Sequence, residues 1–201
     1  MLSAVVLAAG ESTRMGSPKA LLPAPDGHLF VARLVRAFVA GGVPDVVVVT
    51  GSDHDRIVRA VIDDAPQPLP RFARNPDPSR GQLSSLWTGM DVAVAADTEG
   101  LLVTLVDVPM LKALTISQIV TVWRRTGAPI VRPAIGDRHG HPVLFARALF
   151  GELRAASLDE GAKAVMRRHA DRIVNVPVDD EGCLVDIDTP GDLDALHRRS
   201  T

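Results

Sequence analysis

The chain has 201 residues, 46% of them hydrophobic and 23% charged, and a formal net charge of −2. This composition is typical of a soluble globular protein with one full α/β core, and the low net charge excludes a basic field that draws a protein to nucleic acid or to an anionic membrane. A single cysteine, Cys183, excludes an internal disulfide. The first apolar run, Leu2–Leu7, is too short for a membrane span and lacks a basic leader, so we expect a cytoplasmic protein.

Apolar segments alternate with segments of helical periodicity along the chain. The predicted strands are Leu2–Leu7, Val46–Thr50, Arg71–Asn75, Leu101–Val106, Pro129–Arg132, Val143–Phe145, Ile173–Val176 and Cys183–Ile187. The predicted helices are His28–Ala40, Asp53–Ile62, Gln82–Ala96, Ile116–Arg125, Ala146–Arg154, Glu160–His169 and Pro190–Arg198. This alternation predicts βαβ units in a single domain over residues 1–201, with a mostly parallel, Rossmann-like sheet between two helical layers.

A glycine-bearing loop follows the first predicted strand. Small residues end at Gly10, and two cations, Arg14 and Lys19, follow within the same short stretch. Exposed backbone N–H groups together with an arginine and a lysine are what a polyphosphate requires. The spacing is neither that of a P-loop nor that of a Gly-x-Gly-x-x-Gly fingerprint. The alternative is an ordinary βα turn with two solvated cations.

Acidic residues follow two of the predicted strands. Asp107 ends the Leu101–Val106 strand, where a carboxylate beside phosphates is a natural Mg²⁺ ligand. Asp186 and Asp188 lie at the end of the last predicted strand, and alternation sends both to the same side. Because the carboxyl ends of parallel strands gather at one edge, we expect these acids near the glycine-bearing loop. The alternatives are a turn acid or helix cap at Asp107 and a cap of the last helix at Asp188 or Thr189.

Two polar loops carry further candidate residues. The loop from Asn75 leads into a helix through Ser84 and Ser85, and its hydroxyls and N–H groups are suited to reading a base or a ribose. A well-capped helix explains one of these serines but not both. In the second loop, His139 and His141 lack a nearby third ligand for a metal, so contact with an acceptor substrate is the better functional interpretation of His141.

In this order, the motifs resemble those of the MobA-like nucleotidyltransferases, and within them the molybdenum cofactor cytidylyltransferases. The resemblance covers nearly the whole chain and rests on Leu7-Ala8-Ala9-Gly10, Arg14-Met15-Gly16, Lys19, Asn75, Gly81, Ser84-Ser85-Leu86, Gly89, Asp107-Val108-Pro109, Gly140-His141-Pro142-Val143-Leu144-Phe145 and Asp186-Ile187-Asp188-Thr189-Pro190-Gly191-Asp192-Leu193. It implies a sheet of the nucleotide-diphospho-sugar transferase type. In this family Leu-Ala-Ala-Gly is associated with CTP enzymes and Leu-Ala-Gly-Gly with GTP enzymes, so Ala9 favours CTP.

The resemblance implies transfer of CMP from CTP to a phosphorylated acceptor, molybdopterin or molybdenum cofactor, with release of pyrophosphate and a requirement for Mg²⁺. It gives catalytic roles to Arg14, Lys19 and Asp107, and nucleotide contacts to Leu7, Ala8, Ala9, Gly10, Arg14, Lys19, Asn75, Gly81, Ser84 and Ser85. It gives acceptor contacts to Gly140 and His141, and metal contacts to Asp107, Asp186 and Asp188. A molybdoenzyme or a chaperone is the protein partner it implies, and neither nucleic acid nor a membrane is expected as a partner.

Two functions of other classes remain open. The same subfamily contains sequences named as nicotine blue oxidoreductases, and such an activity needs a dinucleotide fingerprint that this sequence lacks. A non-catalytic nucleotide-binding cofactor chaperone should lack the acidic residues that this sequence has at its strand ends.

Overall fold

A computed structural model describes residues 1–64 and 66–198, apart from the side chain of Thr13. Its strands are β1 (Leu2–Ala8), β2 (Asp45–Thr50), β3 (Arg71–Arg74), β4 (Gly100–Leu105), β5 (Ile130–Ile135), β6 (Arg138–His139), β7 (Val143–Ala146) and β8 (Ile173–Pro177). Its helices are α1 (Phe30–Ala40), α2 (His54–Asp64), α3 (Gln82–Ala93), α4 (Ala113–Thr126), α5 (Phe150–Ala155), α6 (Ala162–Arg168) and α7 (Pro190–Arg198).

The strands form one sheet in the order β3-β2-β1-β4-β7-β5-β6, with β8 paired to β5. β1 lies at its centre and runs parallel to β2 and β4, so that Val5 faces Val47 on one side and Val103 on the other. β3 continues the parallel part beside β2, whereas β7 runs antiparallel to both β4 and β5. The prediction of a mostly parallel sheet is therefore confirmed.

Helices cover both faces of this sheet. Along β1, Ala4 and Val6 point into a core shared with α1, α2 and α4, whereas Val5 points into a second core shared with α3, α5 and α6. The same strand is buried on both faces, which explains why its sequence is a continuous apolar run and does not alternate. The three-layer architecture predicted from the sequence is confirmed. No helix of the described residues is long and apolar enough to cross a membrane.

The carboxylate of Asp64, at the end of α2, ties this helix to the start of α1. It accepts a hydrogen bond of 2.8 Å from the Leu29 backbone N–H, forms an ion pair with Arg36 and is hydrogen-bonded to the His28 ring at 2.9 Å. Burial acts to raise the pKa of Asp64, but the hydrogen bonds from Leu29, Arg36 and His28 outweigh it and hold that pKa below its usual range.

The predicted strand Cys183–Ile187 is wrong. The segment begins as a short 3-10 helix, Glu181–Cys183, and continues without regular structure to the start of α7. The carboxylate of Asp180 is buried and accepts hydrogen bonds from the Gly182 and Lys112 backbone N–H groups, which fixes the segment against the start of α4. Cys183 and Ile187 are buried in the core, so their apolar character reflects packing and not strand pairing.

Other boundaries shift by a few residues. α3 ends at Ala93, three residues earlier than predicted, because a turn follows in which the Thr98 hydroxyl accepts a hydrogen bond from the Ala95 N–H. The two-residue strand β6 was not predicted, since a pair of polar residues has no apolar alternation.

Candidate nucleotide-binding site

A cavity of about 350 Å³ opens at the carboxyl edge of the parallel strands. It is lined by the ends of β1 and β4 with the loops that follow them, by the segment after β3, and by Asp188. A Cβ on Gly51, in the loop after β2, would lie 2.7 Å from the Ala9 carbonyl oxygen and 3.0 Å from Pro78, so only glycine allows this approach. The lining residues are Leu7, Ala9, Gly10, Ser12, Arg14, Lys19, Pro78, Gly81, Gln82, Ser85, Leu105, Val106, Asp107 and Asp188.

The loop after β1 is folded so that its backbone faces this cavity. Ser12 has a φ of 49° and a ψ of 36°, in the left-handed region, where serine is uncommon. Its hydroxyl accepts a hydrogen bond of 3.1 Å from the backbone N–H of Lys19, which closes the loop over seven residues. Gly10 is exposed and has open space where a Cβ would stand, so a ligand has access to its backbone. Arg14 is also exposed and has no carboxylate partner among the described residues.

Lys19 lies between two carboxylates. Its Nζ is 3.0 Å from Oδ2 of Asp107 and 2.5 Å from Oδ1 of Asp188. Burial lowers the pKa of Lys19, but the hydrogen bonds and charges of Asp188 and Asp107 together raise it above its usual value. The lysine is therefore an ammonium ion at the centre of an acidic pair. Sequence reasoning brought these residues to one edge but did not predict the ion pairs.

Asp186, the third predicted metal ligand, makes no ion pair with Lys19 in the described part of the chain. Asp186 does not line the cavity, although burial and the charge of Asp107 raise the pKa of its carboxyl group. Among the described residues, no group of three or more histidine, cysteine, aspartate or glutamate side chains is arranged to hold a metal ion. The structure thus brings Asp107 and Asp188 together and leaves Asp186 outside that pair.

One atom of the acidic pair fits a metal. Oδ1 of Asp107 is buried and has no hydrogen-bond partner within the described part of the chain. A buried carboxylate oxygen without a partner is unfavourable unless a ligand satisfies it. Mg²⁺ in nucleotide sites is held by one or two protein carboxylates together with substrate phosphates and water, so a larger protein cage is not required.

Asn75 and the two serines form a buried polar cluster beside the cavity. The Asn75 amide group donates hydrogen bonds of 3.0 Å and 2.9 Å to the hydroxyl oxygens of Ser84 and Ser85, and its carbonyl accepts one of 3.0 Å from the Asp77 N–H. The Ser84 hydroxyl donates to the Gly81 carbonyl, whereas that of Ser85 has no acceptor among the described residues. Of these polar side chains, Ser85 lines the cavity and Asn75 supports it from behind.

The predicted acceptor residues, Gly140 and His141, do not line the cavity. His141 is half-buried, with Nδ1 at 3.4 Å from the Val103 carbonyl oxygen, and burial lowers its pKa despite the nearby charges of Asp186 and Asp107. Its imidazole is therefore neutral near pH 7. Gly140 has a packing role, since a Cβ there would lie 2.1 Å from the carbonyl oxygen of Cys183.

Several lining residues were missed by sequence reasoning. They are Ser12, Pro78, Gln82, Leu105 and Val106. Each is a close sequence neighbour of a predicted residue, so proximity to a motif was the one available signal. Conversely, Ala8 was predicted but points into the core on the other side of β1 from Ala9.

The model of the MobA-like NTP transferase domain matches residues 4–173. The chain belongs to this family. By family it is a nucleotidyltransferase of the MobA-like type, as the resemblance implied, and relatives named for guanylyl and for cytidylyl transfer both occur among its matches.

Relatives of this MobA-like protein carry different names. It is 29% identical to a probable molybdenum cofactor guanylyltransferase of Mycolicibacterium paratuberculosis, covering 97% of this chain and 94% of the relative. It is 31% identical to the nicotine blue oxidoreductase of Paenarthrobacter nicotinovorans, covering 94% and 92%. Among solved structures, Rv0371C of Mycobacterium tuberculosis, in complex with manganese, matches with a TM-score of 0.75 and 27% identity over 98% of both chains.

Proposed function

We propose that this protein transfers a nucleoside monophosphate, CMP from CTP, to a phosphorylated acceptor of the molybdopterin type and releases pyrophosphate. The observation that carries the proposal is the cavity, in which the accessible Gly10 backbone, the Lys19–Asp107 pair and Arg14, a cation without a carboxylate partner among the described residues, meet. Cations and backbone N–H groups bind a triphosphate, and a carboxylate pair beside them is suited to a divalent metal. A molybdoenzyme or a chaperone is the protein partner that this product requires.

The chain's own residues act by positioning and by neutralising charge. Arg14 and Lys19 bind the triphosphate and stabilise the charge that develops on the leaving pyrophosphate. An oxygen of the acceptor phosphate attacks the α-phosphorus, and the bond from that phosphorus to the pyrophosphate breaks. The acceptor phosphate is already largely ionised near neutral pH, because its second pKa is about 6. No strong general base is therefore needed, and the neutral His141 is suited to donating or accepting a hydrogen bond from the acceptor.

Asp107, together with Asp188 or Asp186, would hold Mg²⁺. A bound Mg²⁺ neutralises phosphate charge and polarises the reacting phosphoryl group. Oδ1 of Asp107, which is buried and has no hydrogen-bond partner within residues 1–64 and 66–198, supports this assignment. So does the complex of the related M. tuberculosis protein with manganese, an ion that takes similar oxygen ligands.

Ala9 supports CTP over GTP. It lines the cavity and is 6% exposed, so its methyl group occupies space that a glycine would leave for a purine. The neighbouring Ser85 hydroxyl, which has no acceptor among the described residues, is a donor suited to a base or a ribose. The experiment ranks CTP, GTP, ATP and UTP with Mg²⁺ by thermal shift, because a ligand that binds the native state raises its melting temperature. A larger shift with GTP than with CTP contradicts the choice of base.

The reaction is tested with each nucleotide labelled at the α-phosphate, in the presence of molybdopterin. We expect label in the acceptor and one pyrophosphate released per transfer. Arg14→Ala should lose on the order of 10²–10³ in rate, by analogy with other groups that stabilise developing charge. The matched control is Arg167→Ala, which removes an exposed arginine paired with Glu160. Absence of transfer with all four nucleotides contradicts the proposal.

The relative named as a nicotine blue oxidoreductase gives a second candidate activity. It is the reduction of a planar, dye-like substrate by a nicotinamide cofactor. In the same thermal-shift series, a larger shift with NADPH than with any triphosphate favours it. Stabilisation by a triphosphate without pyrophosphate release indicates a non-catalytic nucleotide-binding chaperone.

A further inference from the structure

Lys19 occupies the position where two carboxylates converge, which is also the position that suits a divalent cation. Its Nζ contacts Oδ2 of Asp107 and Oδ1 of Asp188 at 3.0 Å and 2.5 Å. The side chains of Lys19 and Asp107 are 13% and 20% exposed, so their ion pair is partly shielded from solvent, whereas the Asp188 side chain is 52% exposed and its ion pair is screened more strongly. In the protein without nucleotide, the cation of the acidic pair is therefore the chain's own lysine.

Lys19 also lines the cavity together with Gly10 and Arg14, the residues proposed to bind the triphosphate. A lysine side chain is a flexible stem with a compact charge at its end, so its ammonium can rotate between neighbouring anions while its backbone stays fixed. The backbone of Lys19 is held by the Ser12 hydroxyl. With its backbone held in place, Lys19 can therefore direct its ammonium either to the two carboxylates or to a bound triphosphate.

A divalent metal and the ammonium compete for the same oxygens. Lys19 binds Oδ2 of Asp107 and Oδ1 of Asp188, and Oδ1 of Asp107 is buried with no partner in the part of the chain that the structure describes. A metal that binds both carboxylates brings two like-charged cations into contact unless the ammonium leaves. A triphosphate offers the ammonium a stronger anionic partner and also gives the metal further oxygen ligands.

We propose that Lys19 is an exchangeable cation of the Asp107–Asp188 pair, which leaves the pair for the triphosphate and so couples metal binding to nucleotide binding. Free enzyme binds a divalent metal weakly, and bound nucleotide strengthens that binding. Lys19 is then a positioning residue for the metal in addition to a phosphate contact. The functional role of this exchange rests on the proposed nucleotidyl transfer, but the exchange itself can be tested without measuring catalysis.

The first experiment measures Mn²⁺ binding to nucleotide-free protein by the loss of the free Mn²⁺ signal in electron paramagnetic resonance. Lys19→Met keeps the length and removes the charge, and we expect it to bind Mn²⁺ about tenfold more tightly than wild type, or better. Lys112→Met is the matched control, since it removes an exposed lysine that does not line the cavity, and it should bind like wild type. Asp107→Asn added to Lys19→Met should abolish the gain. Equal Mn²⁺ affinity in Lys19→Met and wild type overturns the exchange.

The second experiment follows the wild-type lysine directly. The chain has three lysines, Lys19, Lys112 and Lys163, so lysine-selective isotope labelling resolves the Nζ resonance of Lys19 by nuclear magnetic resonance. We expect this resonance to shift when CTP and Mg²⁺ are added together, and to stay when Mg²⁺ is added alone. A shift with Mg²⁺ alone, or none with both, overturns the proposal. Confirmed exchange without transfer of label to any acceptor would refute the proposed function and leave the exchange standing.

Discussion

Replacement of Asn75 by alanine should both destabilise the protein and weaken nucleotide binding. The Asn75 side chain is 4% exposed and makes three hydrogen bonds, to the hydroxyls of Ser84 and Ser85 and from the Asp77 N–H. Each such bond contributes about 1 kcal/mol net, and a buried group that loses its partner adds to the cost. The expected loss is therefore about 3 kcal/mol in the free energy of unfolding.

For a chain of this length, a loss of about 3 kcal/mol lowers the melting temperature by roughly 6–12 °C. The assay is urea denaturation at pH 7 combined with calorimetry. The matched control is Asn175→Ala, because Asn175 is exposed and accepts one hydrogen bond, from Arg132, so its loss should stay within about 0.5 kcal/mol. The stabilisation by CTP should also fall in Asn75→Ala, since Ser85 at the cavity wall loses the group that orients its hydroxyl.

The result that refutes this reasoning is a loss in Asn75→Ala no larger than that of Asn175→Ala. It would mean that water replaces the amide without cost and that the polar cluster does not hold the start of α3. A full loss of stability with an unchanged CTP-induced shift would confirm the structural role of Asn75 and refute its effect on Ser85.

Three further substitutions have defined outcomes. Gly140→Ala forces a methyl group against the Cys183 carbonyl and should lower the free energy of unfolding, measured by denaturation, by about 2 kcal/mol or more. Gly151→Ala is the control, since its methyl group meets open space and should not destabilise the protein. Equal effects of the two substitutions would refute the packing role of Gly140. Asp64→Asn should cost about 1–3 kcal/mol at pH 7. The folded-state pKa of Asp64 lies below its unfolded value, so the Asp64 carboxylate contributes fully to stability above about pH 4, and this contribution is lost as the pH falls through the folded pKa. A stability difference between Asp64→Asn and wild type that persists unchanged in acid contradicts this. Ala9→Gly should move the ratio of CTP to GTP affinity toward GTP by about tenfold in competition binding, and an unchanged ratio means that the methyl group does not select the base.

The contacts of Lys19 show which features of the site could not be predicted from the sequence. The motif from Gly10 to Lys19 and the strand end at Asp107 lie at one edge of the sheet as predicted, because parallel strands all present their carboxyl ends there. The ion pairs of Lys19 join residues 88 and 169 positions apart, and no local pattern encodes such a pairing. Asn75 is a different case, because its hydrogen-bond partners lie only 2, 9 and 10 positions away. Its polar character predicted a ligand contact, but its amide group is bonded to its own loop and helix.

The sequence by itself determined the layers, the single domain and the order of most elements. Apolar periodicity and turn residues act within a few positions, so the strand Val46–Thr50 and the helix His28–Ala40 were predicted without reference to the rest of the chain. Tertiary structure alone decided that β7 runs antiparallel between β4 and β5, and that the segment from Cys183 to Ile187 packs as irregular chain. An apolar residue is buried equally well in a paired strand or in an irregular segment packed under a sheet edge. Which of the two forms depends on long-range contacts, such as the hydrogen bond from the Lys112 N–H to the Asp180 carboxylate, and the local sequence does not encode them.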